Sequence, residues 1–154
     1  METTKRNQYP TVEITISYSR TVKNSDRPCI TSSRQAYEII LNHWNPETLH
    51  LYEEFKVMYL NRANRVIGIY EASRGGICGT VADPRLILGV AVKVCATAMI
   101  LAHNHPSGNL QPSRCDELIT AKLKQAGSFL EIVTTDHLII SDDGYYSFAD
   151  EGRI

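Results

Sequence analysis

Apolar and polar positions recur with clear periods along most of the 154-residue chain, and each period predicts an element. Thr11 to Tyr18 (T-V-E-I-T-I-S-Y) alternates apolar and polar residues, with β-branched side chains throughout, as a half-buried strand does. Ser32 and Ser33 offer caps for a helix over about 34–44, with Ala36, Tyr37, Ile40 and Leu41 on one face. Asn45-Pro46 ends it. Residues 53–60 (E-E-F-K-V-M-Y-L) predict a strand, 61–64 a hairpin turn, and 65–70 the returning partner. A glycine-rich connection, Ser73 to Gly79, leads to a helix that starts near Pro84 and carries Ile87, Val90, Ala91 and Val94. Ala96 to Leu101 (A-T-A-M-I-L) has the length and composition of a buried strand. A further helix follows Ser113, through Leu118, Ile119, Leu123 and Ala126, until Gly127 stops it. Short strands over 130–134, 137–141 and 145–148 close the chain, the last beyond an Asp-Asp-Gly turn.

Strands and helices thus intermingle with no repeat, low-complexity tract or linker. The expected fold is α/β (α+β), one mixed sheet with flanking helices, with residues 11–154 as a single domain. The first ten residues are polar, carry Lys5 and Arg6, and read as a flexible arm. At 43% hydrophobic residues the chain can bury one sizeable core.

Charge changes the picture little. Sixteen basic against 17 acidic residues leave a net charge of -1, so no global electrostatic case for nucleic-acid binding exists. Lys122 and Lys124 could still make a local basic patch. Cys29, Cys78, Cys95 and Cys115 are scattered without C-x-x-C spacing and read as free thiols of a reducing compartment. No apolar run is long enough to span a membrane and no signal-peptide pattern opens the chain, so a cytoplasmic location is expected.

The chemistry concentrates in Ala102 to Thr120, A-H-N-H-P-S-G-N-L-Q-P-S-R-C-D-E-L-I-T. His103 and His105, two apart, leave the same face of an extended backbone. Pro106 to Asn109 break the strand. Pro112-Ser113 then starts a helix on which Ser113 and Asp116 occupy neighbouring surface positions. A His-x-His pair alone is a weak signal, and Ser-x-x-Asp is also an ordinary helix-capping pair. Their conjunction across a Pro-Ser-Gly turn is more specific. Two imidazoles and a carboxylate with room for a water form the donor set of a catalytic rather than a structural zinc site. Cys115 beside Asp116 points about 100° away on a helix and is not counted as a ligand.

His103-x-His105, seven residues, Ser113, two residues and Asp116 resembles the metal motif of the JAB/MPN (JAMM) metallo-isopeptidases. The fuller His-Asn-His-Pro-Ser-Gly followed by Pro-Ser-x-x-Asp is similar to the RadC-like branch. The likeness covers nearly the whole chain, including a Glu-x-Phe strand, a Gly-rich loop followed by Pro-Arg, and the closing Asp136-His137-Leu138-Ile139-Ile140 and Tyr146-Ser147-Phe148. It implies a cytidine-deaminase-like sandwich with Zn2+ on His103, His105 and Asp116. It also implies a hydrolase that cleaves an amide or isopeptide bond of an unidentified protein or peptide. Longer RadC proteins carry a helical region ahead of this domain that this chain has no room for, so a DNA-repair role transfers least.

In the family a glutamate from an earlier strand is the general base. Glu53 and Glu54 both sit there, on opposite strand faces, and the Glu-x-Phe pattern selects Glu53. Ser113 carries over as the hydroxyl donor to the developing oxyanion. Since it also caps the helix, the two roles are expected to alternate. Asp136-His137 reads as a buried structural pair, and the likeness of His-Asn-His to HNH nucleases is accidental. The alternative function is a non-catalytic adaptor or nucleic-acid-associated protein with a vestigial metal site.

Overall fold

A computed structural model describes residues 21–75 and 81–154. The predicted arm, the strand over 11–18 and Cys78 lie outside the described residues. Ser32 opens helix α1 (Ser33–Asn42), its hydroxyl accepting from the Gln35 N–H. Strand β1 (Glu54–Leu60) turns through Asn61–Arg65 into β2 (Val66–Arg74). Asn64 takes a positive φ of 54° there, which asparagine tolerates better than most residues. Helix α2 (Pro84–Lys93) starts at Asp83, whose carboxylate accepts from the Arg85 N–H. Strand β3 (Ala98–Asn104), helix α3 (Arg114–Ser128), strand β4 (Val133–Ile140) and the short β5 (Tyr145–Ser147) complete the order.

The five strands form one mixed sheet in the order β2-β1-β3-β4-β5. β1 runs antiparallel to both neighbours, β5 runs antiparallel to β4, and β3 and β4 are parallel. A parallel pair needs a crossover, and α3 supplies it. Side chains alternate across the sheet and make two cores. Met58, Leu60, Ile100, Ala102, Leu138 and Ile140 pack with Ala36, Tyr37 and Ile40 of α1 on one face. Phe55, Val57, Tyr59, Met99 and Leu101 pack with Ile87 and Ala91 of α2 and Leu123 of α3 on the other. The domain is an α/β/α sandwich, consistent with a JAB/MPN fold.

Some boundaries differ from the sequence reading, each for a tertiary reason. The strand expected from Ala96 starts at Ala98 and continues through both polar residues His103 and Asn104, because β1 and β4 pair with it on either side. The two strands expected over 130–134 and 137–141 are one strand, β4, whose polar Thr135-Asp136 middle is sheltered by neighbouring elements. Gly127 does not stop α3, which runs on through Ser128. A Cβ there would lie 2.5 Å from the Ile132 carbonyl oxygen, so glycine serves a close approach. No helix among the described residues is long and apolar enough to cross a membrane. Cys29, Cys95 and Cys115 are free and exposed.

Candidate metal centre

The crossover from β3 to α3 brings the two halves of the motif together. β3 ends in the buried centre of the sheet, so His103 is 1% exposed on the α2/α3 face. His105 follows two residues later, where the turn closed by Gly108 N–H donating to the His105 carbonyl at 2.8 Å begins. Gly108 adopts φ 76°, a region closed to most side chains. The chain then enters α3 through a reciprocal cap. The Asp116 N–H donates to Ser113 Oγ at 3.2 Å, and the Ser113 N–H donates to Asp116 Oδ2 at 2.6 Å. That cap fixes the Asp116 carboxylate over the end of β3.

His103, His105 and Asp116 accordingly offer ligand atoms that all lie within 4.8 Å of one another, a group that could hold a metal ion. His103 Nε2 is 3.0 Å from His105 Nε2 and 3.1 Å from Asp116 Oδ1. His105 Nε2 is 3.5 Å from Asp116 Oδ2.

The outer ring nitrogens establish what the inner ones can do. His105 Nδ1 faces the Asn109 carbonyl at 2.5 Å, and a carbonyl only accepts, so this nitrogen carries the proton. His105 Nε2 is then a lone pair when the ring is neutral. His103 Nδ1 faces His137 Nε2 at 2.8 Å, and His137 Nδ1 faces Thr120 Oγ1 at 2.6 Å. The Thr120 hydroxyl donates to the Asp116 backbone carbonyl at 2.6 Å. With its one proton so used, Thr120 accepts from His137 Nδ1, and the neutral His137 accepts at Nε2 from His103 Nδ1. His103 Nε2 is therefore a lone pair too when that ring is neutral. With both rings neutral, two imidazole lone pairs and a carboxylate converge with no donor among them, an arrangement that a proton on either ring or a cation in the middle would relieve.

The electrostatics show the pull of this group on a proton. The Asp116 carboxylate beside His105 raises the His105 pKa against the effect of burial; the Asn109 carbonyl and the charge of Glu53 add to it. Burial opposes the charged form of Asp116. Protons on His103 and His105 Nε2, where those rings carry them, and the Ser113 N–H outweigh that and hold its pKa far below the carboxylate range. The donor set, two nitrogens and one carboxylate, suits a divalent metal of zinc type.

The other predicted site residues fall as follows. Phe55 pairs with His103 across β1 and β3 and stacks on its ring at 6.0 Å between centroids. Glu53, two residues before Phe55 and half-buried, precedes β1, and its charge acts on His105. Glu54 points to the face opposite Phe55, where it is 0% exposed. It accepts from Thr48 Oγ1 at 2.7 Å and lies 3.2 Å from Lys56 Nζ. Ser113 is exposed at the start of α3. Its oxygen accepts the cap, which leaves the hydroxyl proton free, so capping and donating to a substrate are compatible at the same moment. Asp136 and His137 are both buried, but they do not act as a pair on one another's side chains. Asp136 accepts from Ser147 Oγ and the Ala149 N–H, while His137 stands directly behind His103. From the sequence, His137 reads only as half of a structural pair. The available signal was its place in β4, opposite Leu101 and on the face of His103.

A mixed sheet flanked by helices, with a two-histidine, one-aspartate group at a strand end, defines an α/β sandwich whose site could hold a metal ion. A family model described as RadC-like JAB domain matches residues 30–153, and the chain belongs to that family. It is 48% identical over 124 residues to a UPF0758 protein of Flavobacterium johnsoniae, covering 80% of this chain and 52% of that one. It is 44% identical over 149 residues to a UPF0758 protein of Porphyromonas gingivalis, covering 94% and 64%. With UPF0758 protein YeeS of Escherichia coli K12 it shares 42% over 125 residues, 80% of this chain and 82% of that protein. The chain therefore spans about half to two thirds of the length of the first two relatives.

Proposed function

We propose that this domain is a zinc-dependent hydrolase of the JAMM type, cleaving an amide or isopeptide bond in a protein or peptide. The observation that carries the reading is the convergence of His103 Nε2, His105 Nε2 and the Asp116 carboxylate, ligand atoms all within 4.8 Å of one another at the end of β3. His103, His105 and Asp116 would hold the ion. Zinc, when bound, supplies Lewis acidity that polarises a carbonyl and brings the ionisation of water toward neutral pH.

The remaining roles belong to the chain. Glu53, just before β1, accepts the proton of the attacking water and returns it to the leaving nitrogen. Ser113, with its proton uncommitted by the cap, donates to the oxygen that gains negative charge. Phe55 and His137 wall the inner side of the site and keep bulk water from the back of His103.

The test has two arms. Protein purified without chelator should carry about one zinc per chain, and His103→Ala with His105→Ala should lose it while staying folded, because the two cores do not depend on the ion. Stoichiometric zinc retained in that double variant would refute the site. Zinc-loaded protein should then cleave members of a proteome-derived peptide library, and Glu53→Gln should not. Identical digests from both proteins would refute the hydrolase.

A further inference from the structure

We infer that His137 and Thr120 form a positioning pair that fixes the tautomer of His103, keeping its Nε2 lone pair turned to the cation site. The consequence for metal affinity rests on the metal reading above; the tautomer itself does not.

A neutral imidazole with no partner favours the proton on Nε2, which would close that nitrogen to a cation. What the other ring nitrogen bonds to reverses this choice. Metal-binding histidines usually hand that outer proton to a carboxylate, a backbone carbonyl or a water. Here the acceptor is a second imidazole, which is ambiguous by nature because either of its nitrogens can carry the proton. His137 would serve as acceptor or donor equally well if nothing fixed it.

Thr120 removes the ambiguity. Its hydroxyl has one proton, and the Asp116 backbone carbonyl takes it at 2.6 Å. The Thr120 oxygen must then accept from His137 Nδ1, 2.6 Å away. His137 is left with a lone pair on Nε2, 2.8 Å from His103 Nδ1. Every donor in the chain points one way, from His103 through His137 and Thr120 to the backbone of Asp116. The chain starts on one ligand and ends on another, so it ties β3, β4 and α3 together behind the site.

The surroundings suit this use. His137 is 0% exposed. Its ring stacks on Phe148 at 4.9 Å with planes 15° apart, and Phe55 leans on it at 5.6 Å. Two aromatic rings pack against the imidazole and oppose a ring flip, which would put carbon where each nitrogen now stands. No water needs to complete the chain, because each nitrogen already has its partner.

The experiment reads tautomers and affinity, not hydrolysis. Long-range proton–nitrogen spectra of metal-free protein at neutral pH should show His103 and His137 both protonated on Nδ1, with Nε2 bare. Competition with a zinc-chelating dye should show affinity reduced about 10- to 100-fold in His137→Leu, the range typical of lost outer-shell partners. Thr120→Val should lower affinity and move the His103 proton toward Nε2, although Thr120 does not touch His103. Thr120→Ser keeps the hydroxyl and should restore both readouts, which a purely space-filling role would not require. Should His137→Leu fail to fold, the Thr120 pair decides alone. His103 protonated on Nε2 in the parent protein would overturn the inference, as would parental affinity and spectra in Thr120→Val. Failure of the parent to bind zinc would refute the metal reading, while the tautomer spectra would still decide this one.

Discussion

Asn104 and Glu54 are joined across the sheet, Asn104 Oδ1 accepting the Glu54 backbone N–H at 2.8 Å. The same side chain donates through Nδ2 to the carbonyls of Leu49 and Tyr52, at 2.7 and 3.0 Å. The residue between the two histidines thus faces away from the metal group and staples the segment that carries Glu53. Asn104→Ala would leave a buried N–H and two carbonyls without partners. Each such group costs about 1–3 kcal/mol, so urea unfolding should show a loss of roughly 3 kcal/mol or more. Amide exchange at Glu54 should accelerate in the same variant. A loss below about 1 kcal/mol would mean that the staple is replaced by water.

Glu53 and Glu54 should separate by phenotype. Glu53→Gln keeps size and shape but cannot take a proton, which typically costs on the order of 10² to 10⁴ in rate. Its fold and zinc content should match the parent. Glu54→Gln should leave the chemistry alone and weaken the fold. Glu54 is fully buried with Lys56 Nζ at 3.2 Å and Arg74 Nε at 3.8 Å, and Lys56 itself is 8% exposed over the Trp44 ring. Breaking a buried ion pair from one side costs about 3–5 kcal/mol, tempered here because Glu71 stands 3.5 Å from the same ammonium. Denaturant midpoints and peptide digestion measured on both variants would expose a reversed assignment.

Gly127→Ala should destabilise despite alanine's better helix propensity. The added Cβ would meet the Ile132 carbonyl oxygen at 2.5 Å, and that oxygen belongs to backbone that cannot swing aside. Overpacking of this kind costs about 1–3 kcal/mol, against a propensity gain near 1 kcal/mol. A thermal midpoint above the parent's would show that the α3–β4 connection yields more easily than its geometry indicates.

Asp136 sets a pH signature. Burial raises its pKa in the folded protein above the ordinary 3.8, against hydrogen bonds from Ser147, Ala149 and His137. A folded pKa above the unfolded one gives stability that is complete below the unfolded value and is lost as pH rises through the folded value. Relative to Asp136→Asn, which does not titrate, the parent's advantage should therefore be largest near pH 3.8 and shrink as pH rises. The shrinkage cannot exceed about 1.4 kcal/mol per pH unit for one proton. Urea unfolding of chelator-treated proteins at several pH values measures it. An advantage that grows with pH would mean that the hydrogen bonds outweigh burial.

Sequence alone determined the elements whose cause is local. The caps at Ser32, Asp83 and Ser113, the proline at the start of α2 and the apolar run of β1 act within a few residues, and each element formed near where its pattern lies. The convergence of His103, His105 and Asp116 was legible for the same reason, since one strand, one turn and one helix start span it. Tertiary structure decided what depends on distant partners. Whether 130–141 is one strand or two turned on pairing with β3, and the reason for Gly127 turned on a carbonyl brought back by the next strand. The polarity of the hydrogen-bond chain behind His103 was decided the same way. A tautomer is a matter of which acceptor lies at the far nitrogen, and that acceptor, His137, is 34 residues away and reaches His103 only because β4 lies parallel beside β3.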